Sequence, residues 1–393
     1  MPAHEPLTDP LLEDSFYAGD PFPQYTRLRD EAPVAWNDTT GFWALSRWDD
    51  VMAVSTDPET FCSGRGILVM EIGAHYDTPP TMMHTDPPEH TVYRKLVQPG
   101  FAPGRMRALE DDVRRRAKPL VDRIEPGRAV DFVETVSVRF PLFIISTLLG
   151  MPDDDWERFF EWSEAVIPGA TDWSEEKRAE LQADMHETLL ATTVARRADP
   201  RDDLISVLVQ VEIEGRRLSD AELTMFLVQL LVAGNETTRN MISGGLVALA
   251  ERPAGWERLR RDRSLVPTAV EEMLRWTSPV VSFMRTATRD TELGGARIRE
   301  GDPVLMLYAS ANRDERQFGP TADRFDIGRT PNQHLAFGFG THFCIGATLA
   351  RIEARVLLEE LLDRFETVEL AGDVERSQSA VIAGVKHAPL VFR

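Results

Sequence analysis

A long apolar segment in the middle of the chain, residues 220–251, constrains the fold more than any other feature. It opens with Ser219-Asp220-Ala221-Glu222, a capping box in which the serine caps the third helical residue and the glutamate reaches back. From Leu223 to Ala233 it is apolar on nearly every helical face, and Pro253 marks its end. Because a helix that is apolar all round must be buried, the segment predicts a central core helix about 48 Å long.

The rest of the chain indicates a mainly α fold with a smaller β region. Helical periodicity dominates residues 87–275, and a last long helix is expected over 345–363. Strand and turn signals predict β-rich parts near 34–60, 280–310 and 381–391. No internal repeat or linker divides the 393 residues, so we expect a single domain over 1–393 rather than two or three.

Composition and charge exclude several classes of protein. The 44 Lys and Arg against 64 Asp and Glu give a net charge of −20, which argues against binding of nucleic acid or an anionic membrane. Two cysteines cannot build a disulfide framework. Residues 1–20 lack the basic and apolar regions of a secretory signal, and no segment reaches the roughly 20 apolar residues of a membrane span. We therefore expect a cytoplasmic protein without a membrane anchor.

Polar residues interrupt the apolar helix at Ala233-Gly234-Asn235-Glu236-Thr237-Thr238. Glycine costs about 1 kcal/mol in a helix interior, and threonine can bond back to a carbonyl one turn earlier. Local rules tend to fail at functional sites. Glu236 and Thr237 supply an acid and an alcohol, the parts of a proton relay, and a bulged helix here would hold water. A polar stripe that faces solvent or another helix is the alternative.

A glycine-rich loop, Phe337-Gly338-Phe339-Gly340-Thr341-His342-Phe343-Cys344-Ile345-Gly346, places a cysteine at the start of the last long helix. The helix dipole and the loop N–H groups favour a thiolate, which can act as a nucleophile or a metal ligand. One cysteine excludes tetrathiolate zinc and iron–sulfur sites, whereas thiolate ligation of haem iron needs only one. A buried structural thiol is the alternative for a cysteine considered by itself.

Together these residues make the sequence resemble the bacterial soluble cytochromes P450, which are haem-thiolate monooxygenases. The family pattern Phe-x-x-Gly-x-x-x-Cys-x-Gly is complete over 337–346, and the helix motif Ala/Gly-Gly-x-Asp/Glu-Thr-Thr/Ser is complete over 233–238. Glu272-Met273-Leu274-Arg275 fits the family's Glu-x-x-Arg. Ala322-Asp323-Arg324-Phe325 fits its Pro-Glu-Arg-Phe segment with Ala and Asp replacing Pro and Glu. The four motifs follow the family order, and the resemblance covers essentially the whole chain.

The resemblance implies a cytochrome P450 fold with haem b between the central helix and the cysteine-bearing loop. It implies that Cys344 is the proximal iron ligand and that Glu236 and Thr237 deliver protons to bound O2. Two propionates in an apolar protein require cationic or polar partners, and the resemblance implies His90, Arg94, Arg285 and His342. The other implied haem contacts are Ala233, Phe337, Gly338 and Gly346. Behind the haem, it implies a buried ion-pair network of Glu272, Arg275 and Arg324.

The segment 94–118 is basic in an otherwise acidic chain. It carries eight Lys and Arg against three Asp and Glu, so 8 − 3 gives +5. No reductase domain fits in this length, so the resemblance implies a separate electron donor. We expect these cations, with Arg351 and Arg355, to dock an acidic ferredoxin that has its own reductase, by electrostatic steering. A solvated helix face is the alternative reading of the segment. We expect the protein to be a monomer.

By analogy with the family, the substrate pocket is largely apolar and predicts a hydrophobic substrate of moderate or large size. The pocket residues that we expect are Ile67, Met70, Ile72, Met82, Val166, Val232, Val281, Phe283 and Ile382. The segments 63–67, 334–344 and 384–387 resemble actinobacterial oxidases of sterol side chains and branched lipids. A terpenoid or another secondary metabolite is the main alternative substrate. A peroxide-driven peroxygenase and a non-catalytic haem-binding module are the alternative functions.

Overall fold

The structure, a computed structural model, describes residues 7–71, 79–152, 155–166, 173–377 and 379–393. Most of these residues are helical, which confirms the mainly α class. The helices are α1 (Phe22–Glu31), α2 (Trp48–Thr56), α3 (Glu89–Val97), α4 (Pro103–Ala108), α5 (Glu110–Asp122), α6 (Arg139–Leu149), α7 (Trp156–Val166), α8 (Glu175–Ala198), α9 (Leu204–Gln210), α10 (Asp220–Ala250), α11 (Pro253–Arg261), α12 (Val266–Thr277), α13 (Tyr308–Ala311), α14 (Glu315–Phe318) and α15 (Ala347–Arg364).

Helix α10 is the predicted central helix. The Ser219 hydroxyl accepts from the Glu222 N–H at 3.2 Å, and the Glu222 carboxylate accepts from the Ser219 N–H at 2.8 Å, so the capping box is confirmed. Helices α6, α7, α8, α12 and α15 pack against α10. The predicted bulge is wrong, because α10 runs unbroken through 233–238. The Thr237 hydroxyl donates to the Ala233 carbonyl at 2.7 Å, which satisfies this oxygen within the helix.

The strands form one five-stranded sheet and three smaller ones. They are β1 (Val34–Asn37), β2 (Phe42–Leu45), β3 (Phe61–Cys62), β4 (Ala129–Asp131), β5 (Ser282–Ala287), β6 (Thr291–Leu293), β7 (Ala296–Ile298), β8 (Pro303–Leu307), β9 (Val368–Leu370), β10 (Glu375–Arg376), β11 (Val385–His387) and β12 (Pro389–Phe392). The large sheet has the order β1-β2-β8-β5-β3, with β2 and β8 parallel and its other pairs antiparallel. The others pair β4-β12-β9, β10-β11 and β6-β7.

Strands β4, β9 and β10 lie outside the predicted β-rich parts, and β4 interrupts the segment that we expected to be helical. Strand β4 exists through pairing with β12, where Val130 lies opposite Leu390. A three-residue strand whose partner is far along the chain leaves almost no local periodicity in the sequence. Helix α2 lies inside the predicted β-rich part 34–60.

The largest apolar core is helical and places the cysteine loop. Buried residues of α5, α6, α10, α12 and α15 share one core cluster, whereas the large sheet packs in two others. Helix α15 packs against α5, α10 and α12, so the residues just before α15 lie close to the central helix. Among the described residues, no helix combines the length and apolarity that crossing a membrane requires.

Candidate functional site

The loop before α15 holds Cys344 in a defined backbone position. The Cys344 N–H donates to the Phe337 carbonyl at 3.0 Å, and the Phe343 N–H donates to the Gly340 carbonyl at 3.1 Å. Gly340 has φ +69°, and a Cβ there would clash with the Ser55 carbonyl oxygen, so only glycine fits. Gly338 also has a positive φ, of +64°. Gly340 of the sequence motif is therefore required by the backbone.

The environment of the Cys344 thiol balances two effects. The residue is partly exposed, and burial of the thiol among protein atoms raises its pKa above the ordinary value. Backbone N–H groups of Gly346 and Ala347 act in the opposite direction, as do the charges of Arg94 and Arg351. The predicted preference for a thiolate therefore does not follow from the helix start alone. A bound metal cation deprotonates a coordinating thiol outright, so this sulfur suits a metal ligand.

Two imidazoles and a guanidinium cluster beside this loop, with His90 and Arg285 buried and His342 partly exposed. The rings of His90 and His342 are 4.3 Å apart between centroids, and the Ser63 hydroxyl lies 3.1 Å from His342 Nε2. Arg285 is 7% exposed, and no carboxylate of the described residues forms an ion pair with it, although the charge of Asp86 acts on it at longer range. Neither ring nitrogen of His90 has a hydrogen-bond partner within the described part of the chain. Burial, with the charge of Arg94, lowers the pKa of His90 to about 4.

This cluster fits the two carboxylates of a haem. A buried guanidinium without an anion is unfavourable, and an orphaned imidazole loses the hydrogen bonds that it makes in water. Two propionates would supply both the negative charge and the hydrogen-bond acceptors. Arg94, also predicted as a propionate partner, donates to the Thr341 carbonyl at 3.3 Å and the Phe343 carbonyl at 2.7 Å, and so holds the cysteine loop.

The middle of α10 presents two different faces. Ala233 is exposed and Thr237 is partly exposed within a helix that is otherwise largely buried. They lie four residues apart and share a face, whereas Glu236 is 5% exposed and points elsewhere. Its Oε1 accepts from Asn240 at 3.1 Å and from Arg239, and its Oε2 has no partner among the described residues. The predicted acid and alcohol therefore do not bond to each other.

A cavity of about 540 Å³ adjoins the Glu236 side of the helix. Arg239 bridges Glu236 and Glu164, whose Oε1 lies 3.1 Å from the guanidinium. Burial raises the pKa of Glu164, although the charge of Arg239 opposes this. The charged residues that line the cavity are Glu134, Arg139, Glu157, Glu164, Glu236, Arg239 and Lys386. A cavity of this size that is lined by charged groups can hold water beside the Glu236 side chain, although Oε2 itself is buried.

The predicted network of Glu272, Arg275 and Arg324 forms in part. Arg275 makes a two-point contact with Glu272, at 2.8 and 2.7 Å, and both side chains are fully buried. The third cation is Arg329, whose Nε lies 3.1 Å from Glu272. The prediction of the Arg324 side chain is wrong, because it is exposed and only its carbonyl accepts from Arg275 at 2.9 Å and Arg329 at 3.0 Å.

A second carboxylate, Glu271, fixes the start of the cysteine loop. It accepts from Arg351 at 2.7 and 2.9 Å and from His334 at 3.1 Å. Although burial opposes ionisation, the hydrogen bonds from Arg351 and His334 lower the pKa of Glu271 to about 2. The Arg351 guanidinium lies 4.6 Å above the ring of Phe337. Neither Glu271 nor Arg329 belongs to a sequence motif, although Glu271 adjoins the motif residue Glu272.

The predicted substrate-pocket residues fall into three groups. Ile67, Met82 and Val281 are buried. Partly exposed are Val166, Val232, Phe283 and Ile382, whereas Met70 is 56% exposed. Ile72 lies outside the described residues. The Met284 N–H donates to the Ile67 carbonyl at 2.7 Å, and Val280 bridges to Ile382, so the segments around residues 67, 281 and 382 meet at β5.

The predicted docking charges are largely neutralised within the protein. Arg114 pairs with Glu359 at 2.6 Å and Glu360 at 2.8 Å, and Arg355 pairs with Glu110 at 2.6 Å. Arg115 pairs with Asp112, and Arg351 is bound to Glu271 as described above. Within the described residues, three exposed cations of the segment 94–118 make no ion pair, namely Lys95, Arg107 and Lys118.

Known proteins resemble this chain over nearly its whole length. The family model described as Cytochrome P450 matches residues 105–389. Linalool 8-monooxygenase of Pseudomonas putida is 38% identical, with 94% of this chain and 94% of that protein covered. Steroid C26-monooxygenase of Mycobacterium tuberculosis is 36% identical, with 97% and 96% covered. The crystal structure of CYP109E1 from Bacillus megaterium in complex with corticosterone matches at TM-score 0.86 and 33% identity, covering 96% of this chain and 99% of that one.

Fold and site therefore define a haem protein with a cysteine-bearing loop beside a long central helix. The chain belongs to the cytochrome P450 family. It is a cytochrome P450 monooxygenase, an oxidoreductase whose cofactor is haem b. The resemblance seen in the four sequence motifs is confirmed.

Proposed function

We propose that this cytochrome P450 inserts one oxygen atom of O2 into a C–H bond of a hydrophobic molecule of the steroid or terpenoid class, and that residues 1–393 act as one catalytic domain. The observation that carries the proposal is the cluster of buried His90 and Arg285 and partly exposed His342 beside the Cys344 loop, in which, among the described residues, Arg285 forms no ion pair and His90 has no hydrogen-bond partner. The substrate class is supported by apolar segments that meet at β5 and by relatives named for linalool and steroid oxidation.

Within this proposal, each predicted haem contact has a role. Cys344 would ligate the iron, while His90, Arg285 and His342 would hold the propionates and Arg94 would brace the loop. The remaining haem contacts would be Ala233, Phe337, Gly338 and Gly346. Bound haem would supply the activation of O2, which thiolate ligation favours. The protein's own part is to place substrate and protons and to exclude other water.

Glu236 and Thr237 would move protons across the central helix. The unpartnered Oε2 of Glu236 would exchange protons with water in the adjoining cavity. The Thr237 hydroxyl donates its own proton to the Ala233 carbonyl, which leaves its lone pairs free to accept one from water. Since the two side chains face different sides, a water molecule or a side-chain rotation must connect them.

Electrons would come from a ferredoxin that docks on the exposed cations Lys95, Arg107 and Lys118. Replacing these three by Glu should slow electron transfer about tenfold at low salt, and the difference should shrink at high salt. Arg128→Glu, an exposed cation outside the segment 94–118, is the matched control and should leave the rate unchanged. An unchanged, salt-independent rate in the triple variant would remove this docking surface.

The substrate class is tested by optical titration of the haem protein with a steroid, a terpenoid alcohol and a straight-chain fatty acid. A ligand that fits beside the haem would change its Soret band, and we expect the steroid or the terpenoid to do so at the lowest concentration. Product formation with O2, ferredoxin, reductase and NADPH then identifies the oxidised position. Binding of the fatty acid alone would contradict the proposed class.

A further inference from the structure

A chain of hydrogen bonds links three side chains in the segment between β3 and α3. His84 Nε2 lies 3.2 Å from both carboxylate oxygens of Glu71, and His84 Nδ1 lies 2.8 Å from the Thr81 hydroxyl. The carboxylate also accepts from the N–H groups of Ile67 at 2.8 Å and Leu68 at 3.0 Å. Although burial opposes ionisation, these hydrogen bonds lower the pKa of Glu71, the one from His84 most strongly.

The chain can persist in either protonation state of the imidazole. When His84 is neutral, Nε2 can donate to Glu71 while Nδ1 accepts from the Thr81 hydroxyl. When His84 is charged, both nitrogens donate, and the hydroxyl accepts instead. A hydroxyl suits this position because the same oxygen can donate or accept, whereas a cation at residue 81 could only donate and would fit only the neutral imidazole.

Two predicted pocket residues adjoin these three side chains. Ile67 is 4% exposed and is fixed from both sides, because its N–H reaches Glu71 and its carbonyl accepts from the Met284 N–H of β5 at 2.7 Å. Met82 is 6% exposed and follows Thr81 directly. The Glu71–His84 contact thus ties the backbone that carries Ile67 to the short helical turn Met82–His84.

The C-terminal end of the same segment is held by a separate set of hydrogen bonds. Asp86 accepts from the N–H groups of Ser63 at 2.7 Å and Gly64 at 2.9 Å, and Ser63 contacts His342 of the cysteine loop. Asp86 therefore anchors the segment beside the propionate cluster. Glu71 and His84 precede Asp86 in the segment, and they hold Ile67 and the turn Met82–His84, with which the Asp86 side chain makes no hydrogen bond among the described residues.

We propose that Glu71 and His84 are positioning residues that set the shape of the substrate chamber, and so its selectivity, by holding Ile67 against β5 and fixing its place relative to Met82 of the turn Met82–His84. This inference rests on the proposed function, because it takes Ile67 and Met82 as chamber walls. Neither residue touches the reacting atoms. The ligand class is an apolar molecule with a rigid outline, because such a ligand gains most from walls that do not move.

The test compares Glu71→Ala and His84→Ala with the wild type by optical titration against corticosterone, linalool and a straight-chain fatty acid. A displaced apolar wall changes binding by about tenfold or more, so we expect Kd of the tightest ligand to rise about tenfold. The ratio of Kd between tightest and weakest ligand should fall, and KM should rise more than kcat changes. Glu71→Gln keeps an acceptor oxygen for the two N–H groups and should restore binding to within about twofold.

Asp290→Ala is the matched control. Asp290 also accepts from a backbone N–H, that of Glu300 at 3.0 Å, and pairs with Arg297, but it lies at the β6–β7 hairpin. Unchanged Kd values and ratios in Glu71→Ala or His84→Ala would overturn the inference, and so would equal effects in Asp290→Ala. The carbon monoxide spectrum distinguishes failure of this inference from failure of the proposed function. A variant with a normal thiolate band and unchanged selectivity overturns only the positioning role. A wild type without that band overturns the proposed function as well.

Discussion

Two buried charged regions flank the cysteine loop, and they differ in how their polar atoms are satisfied. In the first, around Glu272 and Glu271, the cations Arg275, Arg329 and Arg351 all pair with carboxylates at 3.1 Å or less. In the second, around His90 and Arg285, no carboxylate of the described residues forms an ion pair with either side chain, although Asp86 acts on both at longer range, and both imidazole nitrogens of His90 lack partners. The first region is complete as a protein structure, whereas the second needs a further group to be complete.

This difference distinguishes buried charges that stabilise the fold from buried polar groups that bind a ligand, without reference to the family. A buried charge that is fully paired supports the fold, and loss of one partner leaves the other exposed to a large desolvation penalty. A buried polar atom without a partner is a place where a ligand or water binds. Glu236 belongs to both kinds, since Oε1 is bonded to Arg239 and Asn240 while Oε2 is free.

The largest effect is expected in the paired region. Glu272→Ala leaves Arg275 and Arg329 buried without a counter-ion, and breaking such a buried network costs about 3–5 kcal/mol of the free energy of unfolding. Urea unfolding followed by tryptophan fluorescence measures this loss. Arg324→Ala is the control, because its side chain is exposed and only its carbonyl takes part, so its effect should stay within about 0.5 kcal/mol. Equal losses in both variants would contradict the assignment of Arg329.

A smaller effect, on catalysis rather than folding, is expected at the half-satisfied Glu236. Glu236→Gln keeps an oxygen that accepts from Arg239 and Asn240 but removes the carboxyl group that can gain and lose a proton. Turnover should therefore fall about a hundredfold. The solvent deuterium isotope effect on turnover should change with it. Glu157→Gln, an exposed carboxylate that lines the same cavity, should stay within about twofold of the wild type.

Thr237→Ala tests the other half of the same relay. Without the hydroxyl, reducing equivalents should be consumed with little product, because the proton no longer reaches its acceptor in order. The ratio of product formed to NADPH consumed measures this coupling, and Thr237→Ser, which keeps the hydroxyl, should preserve it. Tight coupling in Thr237→Ala would show that the hydroxyl is not part of the relay.

The smallest expected effect is on the pH dependence of the unfolding free energy. The pKa of Glu271 is about 2 in the folded protein, below its ordinary value of 4.5. A depressed pKa stabilises the folded state fully above about pH 4.5, and this stabilisation is lost as the pH falls toward 2. Glu271→Gln should therefore remove about 1 kcal/mol of the acid-dependent change in unfolding free energy, after allowance for solvent screening. Glu292→Gln, at an exposed strand position, should leave the pH dependence as it is.

The sequence predicted what depends on local pattern. The capping box, the apolar period and Pro253 define α10 to within one residue, and Gly338 and Gly340 match backbone positions where φ is positive or a Cβ would clash. Contacts between distant segments were not accessible in this way. Arg114 meets Glu359 and Glu360 about 245 residues further along, so a segment with a local charge of +5 is far less basic once folded.

The choice between Arg324 and Arg329 shows that the local sequence was also insufficient for two residues only five positions apart. The motif ends at Phe325, and the local sequence does not indicate which arginine side chain is buried. Arg329 is the buried one because it pairs with Glu272 of α12. The predicted bulge in α10 failed because a threonine hydroxyl can satisfy a helix carbonyl without opening the helix. Glu71 and His84 carry no motif, and their contact appears only when the segments on both sides are placed together.

The central claim is that Cys344 ligates haem iron beside a cluster that binds the propionates. The most direct test is the carbon monoxide difference spectrum of the reduced protein, recorded for the wild type, for Cys344→His and for Cys62→Ser, which changes the other cysteine. The account predicts the long-wavelength Soret band of thiolate-ligated iron in the wild type and in Cys62→Ser, and a shift to shorter wavelength in Cys344→His. The same band in Cys344→His, or its absence from the wild type, would contradict the account.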